Sequence, residues 1–115
     1  VKRQYRIKKQ EDFHRIIHSS QFVKNQQFVV YYQCNNLNFA RVGVSVPKKL
    51  GIAVVRNKIK RQIQATLQEA LALDASADYV IVPKTGFDTG NYQQSRAALM
   101  ALLEKIGDQH IGKID

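Results

Sequence analysis

Hydrophobic positions along the chain fall into helical and alternating patterns separated by polar turns. Phe13, Ile16 and Ile17 stand at i, i+3 and i+4, one face of a short helix. Glu11 and Asp12 lie at its start, where the helix dipole favours acids, and Ser19-Ser20 lie at its end. Residues 27–33, Gln-Phe-Val-Val-Tyr-Tyr-Gln, are aromatic and β-branched and predict a strand. Asn35-Asn36-Leu37-Asn38 is turn chemistry. Residues 39–46 then alternate, with Ala40, Val42, Val44 and Val46 on one face and Phe39, Arg41, Gly43 and Ser45 on the other. Two strands joined by a short Asn-rich loop predict an antiparallel hairpin. Residues 47–55 read as a loop around Gly51. Ile59, Ile63, Leu67, Ala70 and Leu71 give a helix over 56–73, broken by Asp74-Ala75-Ser76-Ala77. Residues 78–83 predict a short central strand ended by proline. Asn91 is placed to cap a last helix, whose stripe is Leu99, Leu102, Leu103 and Ile106 and whose end is expected at Gly107.

The order α-β-β-α-β-α, with room for an extra strand around 48–55, predicts one α+β domain, an α/β sandwich. Its three helices would pack on a small mixed sheet of about four strands. The strand–helix–strand unit over 39–83 could be a parallel crossover, for which the general rule gives a right hand. Residues 1–9 are basic and without period, and predict a flexible arm.

Composition narrows the function classes. The chain has 115 residues, one cysteine (Cys34) and a formal charge of +9. A disulfide framework, and hence a disulfide partner, is excluded, as is a four-cysteine zinc site. No apolar run is long enough to span a membrane. The charged N-terminus shows no secretory signal, so a cytoplasmic setting is expected. The charge is also uneven: residues 1–61 hold 14 Lys or Arg against Glu11 and Asp12, while residues 62–115 carry more acids than bases. Such a division suggests a face built for a polyanion.

The densest cationic stretch is 41–61, seven cationic side chains and no acid. Lys48 and Lys49 fall in the loop, and Arg56, Lys58, Lys60 and Arg61 on the first turns of the predicted helix. Cations there oppose the helix dipole, which makes physical sense if an external anion sits among them. Asn57, Arg61, Gln64 and Gln68 share a polar strip opposite the apolar one. A second cluster, Phe13, Ile17, Tyr31 and Val29, fits either core or a groove on which unpaired bases stack. His14 and His18, at i, i+4, could serve acid–base chemistry or ligate a metal, but no carboxylate cluster completes such a site. Exposed surface histidines are the simpler reading. His110 falls in the C-terminal tail. Cys34 reads as a small buried or half-buried thiol.

Taken together, Glu11-Asp12-Phe13, Phe28-Val29-Val30-Tyr31, Arg41-Val42-Gly43-Val44-Ser45-Val46, Lys48-Lys49 and Gly51 to Arg61 resemble the protein subunit of bacterial ribonuclease P. The resemblance runs from about Arg6 to the last helix. It implies a sandwich with a left-handed βαβ crossover, against the general rule. It implies partnership with a catalytic RNA that removes the 5′ leader of precursor tRNA using Mg2+, the protein lowering the magnesium requirement. By the same resemblance Lys48, Lys49, Arg56, Asn57, Lys58, Lys60 and Arg61 would bind the catalytic RNA. Phe13, Ile17, Val29 and Tyr31 would line the leader cleft. Arg6, Lys8, Lys9 and Arg41 would add RNA contacts, and Asn57 a weak outer contact to magnesium. No residue of the chain is expected to be catalytic. The alternatives are an RNA-binding module unconnected with that enzyme and a metal-independent ribonuclease built on His14 and His18. Lys58 and Gln64 stand where arginine is common in the family, Ile17 where an aromatic can occur, and Ile52 where the loop is commonly polar.

Overall fold

The computed structural model describes residues 5–19, 21–70 and 76–109. The elements run α1 (Gln10–Ile17), β1 (Phe22–Lys24), β2 (Phe28–Cys34), β3 (Arg41–Val44), a 3-10 turn (Lys48–Leu50), α2 (Ala53–Ala70), β4 (Ala77–Pro83) and α3 (Tyr92–Gln109). The four strands form one mixed sheet in the order β1-β2-β4-β3. β1 and β2 pair antiparallel, as do β2 and β4, while β3 runs parallel to β4.

The expected hairpin between β2 and β3 does not form, because β4 lies between them. Residue burial explains the choice. β4 is buried at every position except Val82, so it must be covered on both faces and flanked on both edges. β2 alternates buried and half-buried positions and suits a place beside it. The Asn-rich connection does turn: Asn35 Oδ1 accepts the Leu37 N–H at 2.9 Å. It then carries the chain past β4, which spans two strand spacings, about 10 Å, rather than one. The parallel β3–α2–β4 unit is present as expected.

α2 and α3 cover one face of the sheet. Val42 of β3, Phe28, Val30 and Tyr32 of β2, and Tyr79 and Ile81 of β4 meet Ile59, Ile63 and Leu67 of α2 and Leu99, Leu102 and Ile106 of α3 in the main core. The alternation of 39–46 is therefore correct, as are the stripe positions Ile59, Ile63 and Leu67 of α2 and Leu99, Leu102, Leu103 and Ile106 of α3. Leu71 and His110 lie outside the described residues. α1 and the segment before it pack on the other face, where Ile16 and Ile7 meet Val80.

Several boundaries differ from expectation. No strand forms around 48–55. Pro47 opens the 3-10 turn and Gly51 closes it at φ 142°, a region that favours glycine. α2 then begins at Ala53, three residues before the predicted start. Asn91 caps α3 as expected, accepting the Gln94 N–H at 3.3 Å. α3 continues through Gly107 to Gln109, since a glycine weakens a helix by about 1 kcal/mol without obliging it to stop. β1 escaped prediction altogether. The arm predicted as flexible is held at its inner end: the Ile7 N–H donates to the Val42 carbonyl at 2.8 Å, and Tyr5 packs edge-on against Phe39. Cys34 is exposed rather than buried, because it ends β2 at the rim of the sheet.

The core carries one consequence for alkaline stability. Tyr79 is 4% exposed, and burial, helped by the neighbouring Cys34, pushes its phenol up from 10 to about 12. A raised folded-state value means the folded protein resists deprotonation. That contribution is complete below pH 10 and is lost as pH rises towards 12. Urea midpoints measured across this window should fall more steeply for the native chain than for Tyr79→Phe.

Candidate nucleic-acid interface

Lys48 and Lys49 are exposed on the 3-10 turn, and Asn57, Lys58, Lys60 and Arg61 are exposed on α2, with Arg56 half-buried between them. Arg56 folds back so that its Nε donates to the Gly51 carbonyl at 3.1 Å, tying the helix to the turn. Among the described residues none of these cations makes an ion pair, whereas Arg15, Arg41 and Arg96 all do. The early helix start revises one part of the sequence reading. Arg56 is the fourth residue of α2 and Lys58, Lys60 and Arg61 lie deeper, so the dipole penalty, confined to the first turn, falls on them only weakly. What remains is a concentration of positive charge without ion-pair partners among the described residues.

Arg41 behaves differently from the other expected RNA contacts. Its guanidinium binds Asp78 in a fork, Nε to Oδ1 at 3.0 Å and Nη2 to Oδ2 at 2.7 Å. That bonding holds the arginine above its ordinary pKa. Asp78, buried on β4, also accepts from Asn35 Nδ2 at 2.7 Å and pairs with Arg15 at 3.6 Å. Arg15 reaches Asp12 at 3.2 Å and donates to Gln33 at 2.6 Å. Two acids and two arginines thus form a neutral network that pins α1 to β2, β3 and β4. Arg41 belongs to this network. Lys8 and Lys9 are exposed on the arm beside it, and Arg6 bridges to Val42 at the outer side of β3.

Phe13, Ile17 and Tyr31 all join the cluster under α1 and are only half-buried, so core and cleft are not exclusive here. Val29 lies outside that cluster, though its cross-strand partner Val82 belongs to it. Phe13 lies over Gly43. A Cβ at Gly43 would fall 2.5 Å from the Phe13 ring carbons Cε1 and Cζ. Gly43→Ala should therefore displace the ring and cost about 1–3 kcal/mol in denaturant unfolding, with Phe13→Leu in the same chain recovering most of that stability.

Two concavities meet at Phe13. One, about 400 Å³, is lined by Lys8, Gln10, Phe13, Val44 and Ser45. The other, about 80 Å³, is lined by Arg6, Ile7, Phe13, Val42, Gly43, Val44, Lys60 and Gln64. The second brings α1 and α2 together around the edge formed by β3. Lys60 and Gln64 of the basic helix therefore open onto the same space as the aromatic ring. Separation along the chain concealed this junction from sequence reasoning.

The remaining chemistry is sparse. His14 and His18 are exposed, with ring centroids 4.2 Å apart on the solvent side of α1. Among the described residues no three His, Cys, Asp or Glu side chains gather as metal ligands would. Asn57 presents its side-chain amide to solvent on α2. No helix of the described residues is long and apolar enough to cross a membrane.

Unpaired cations on one helix, joined to a half-exposed aromatic surface on a small α+β sandwich, define a nucleic-acid-binding protein. Comparison with known proteins makes this specific. The family model for ribonuclease P matches residues 1–107, and the chain belongs to the ribonuclease P protein family. It is 38% identical over 107 residues to a ribonuclease P protein component from Streptococcus agalactiae, covering 93% of this chain and 98% of that one. Among solved structures, the RNase P protein of Staphylococcus aureus matches with a TM-score of 0.75 at 37% identity, covering 96% of both chains. The RNase P protein of Thermotoga maritima matches with a TM-score of 0.78 at 26% identity, covering 88% of this chain and 96% of that one. The chain is thus the protein subunit of a tRNA-processing ribonucleoprotein, and an RNA partner follows from the family.

Proposed function

We propose that this subunit works by position and charge, binding a catalytic RNA through α2 and the 5′ leader of precursor tRNA through the surface around α1. The observation that carries this reading is the junction at Phe13, where the unpaired cations of α2 adjoin an aromatic, half-exposed surface. Lys48, Lys49, Arg56, Lys58, Lys60 and Arg61 neutralise phosphates of the catalytic RNA, with Asn57 beside them. Lys8, Lys9 and Arg6 extend that field along the arm. Phe13, Ile17, Val29 and Tyr31 contact unpaired leader nucleotides, at about 1–3 kcal/mol for each base that stacks. The reaction itself belongs to the RNA, with magnesium held by RNA phosphates, and the protein lowers the magnesium concentration needed by relieving phosphate repulsion. The expected setting is the cytoplasm.

The test is a reconstitution at low magnesium with a bacterial ribonuclease P RNA and a precursor tRNA, beside protein-only and RNA-only controls. Cleavage stimulated only in the mixture is the expected result. Binding without stimulation would point to an RNA-binding module outside this enzyme. Cleavage by the protein alone in EDTA, abolished in His14→Ala, would move the chemistry to the histidine pair.

A further inference from the structure

Phe22 is 47% exposed on β1, a three-residue edge strand. A large apolar side chain in that position is a liability unless something covers it. Its neighbours fix where it points. Val23 is 6% exposed and belongs to the core under α2 and α3, so Phe22 and Lys24 lie on the opposite face, the one carrying α1. α1 packs on β2 and β4, whereas β1 packs with α3 on the far side, so among the described residues no helix packs closely on the α1-side of β1. In register, Phe22 pairs with Tyr31, and Tyr31 with Val80; Lys24 pairs with Val29, and Val29 with Val82. The Phe22 and Tyr31 rings lie 5.9 Å apart at 50°. Between Asp12 and Glu69 the chain contains no acid, and Lys24 is exposed without an ion pair among the described residues. An aromatic pair flanked by a free cation, on a surface without acids of its own strands, matches single-stranded nucleic acid: a π-face for a base and a charge for its phosphate.

We propose that Phe22 and Tyr31 form a second stacking step for an unpaired RNA base, with Lys24 at the adjoining phosphate. This step carries the leader path from the surface under α1 onto the β1 edge of the sheet. The proposal rests on the leader-binding reading above and extends it from Tyr31 to Phe22 and Lys24, which lie outside the motifs that mark the family resemblance. Its consequence is a dependence on leader length: leaders that stop short of β1 gain nothing from Phe22, and longer ones do.

The experiment uses the reconstituted ribonucleoprotein with precursor tRNAs whose leaders are graded in length, and in parallel the protein alone with a single-stranded oligoribonucleotide carrying a fluorescent base. The variants are Phe22→Ser, which suits an exposed edge position, and Phe22→Tyr. Phe22→Ser should weaken binding of long-leader substrates about tenfold, leave short-leader substrates and affinity for the catalytic RNA unchanged, and be rescued by Phe22→Tyr. Equal affinity at every length, or an equal reduction at every length, overturns the proposal. So does a change in self-association without a change in RNA binding, which would assign the edge to a second copy. If the native protein fails to stimulate the RNA at all, the subunit mechanism has failed instead. The stacking step is then judged on the oligonucleotide alone, whose base fluorescence must lose its stacking quench in Phe22→Ser for the proposal to survive.

Discussion

Replacing Arg56, Lys58, Lys60 and Arg61 together by alanine should flatten the salt dependence of RNA affinity by about 3 units in the log–log slope, at about 0.7–0.9 for each phosphate no longer neutralised. Over a fourfold rise in salt, the native protein should lose about sixtyfold more affinity than the variant. The physical basis is that these side chains have no ion-pair partner among the described residues, so their field is available to an external polyanion. Folding should survive. All four lie on α2 outside its buried stripe, alanine is the strongest helix former, and among the described residues the hydrogen bond forfeited is that of Arg56 to Gly51. Circular dichroism and a thermal melt establish that point before any binding is measured. An unchanged slope in a folded variant would remove α2 from the RNA interface and leave its charge an ordinary solvated face. Arg61→Lys alone should keep the slope and lower affinity only if the contact is a two-pronged one to phosphate, which lysine cannot make.

Those cations were legible because charge is a local property of sequence, and the buried stripe of α2 was legible because its period is local too. Topology was not. The pairing of β4 with both β2 and β3 depends on which strand must be buried on two faces, a comparison among segments more than thirty residues apart. The Asn35 turn was visible and its destination was not. The same distance effect governs the site. Arg41 looked like one more cation in a basic run, yet its charge is absorbed by Asp78, 37 residues away. Phe13 and Lys60 share a concavity only because β3 is an edge strand around which two helices meet. β1 was invisible for another reason: three residues contain too little alternation to register, although Phe22 and Lys24 around a buried Val23 are its whole signature.

The network under α1 provides the largest expected effect on stability, and it links stability to function. Asp78→Ala leaves Arg41 without its fork and Arg15 without one of its two acids, beneath a helix of only eight residues. Removing one member of a buried pair costs about 3–5 kcal/mol. The lower part of that range applies here, because the Arg41 side chain retains 23% exposure and Asp12 stays at 3.9 Å. Against a total of about 5–15 kcal/mol for a domain, that is a large share. Urea unfolding should show a lowered midpoint at unchanged slope. Replacing both partners by apolar residues, Asp78→Leu with Arg41→Met, should recover most of it, since the cost lies in the stranded charge rather than in the missing attraction. The functional signature should be selective. α2 is held by the main core on the other face of the sheet, so its affinity for RNA and its salt slope should persist in Asp78→Ala under folding conditions. α1 carries Phe13 and Ile17 and is the element this network holds down, so discrimination between substrates with and without a leader should fall. A variant in which RNA affinity and leader discrimination fell in equal measure would show instead that the two faces of the sheet act as one surface.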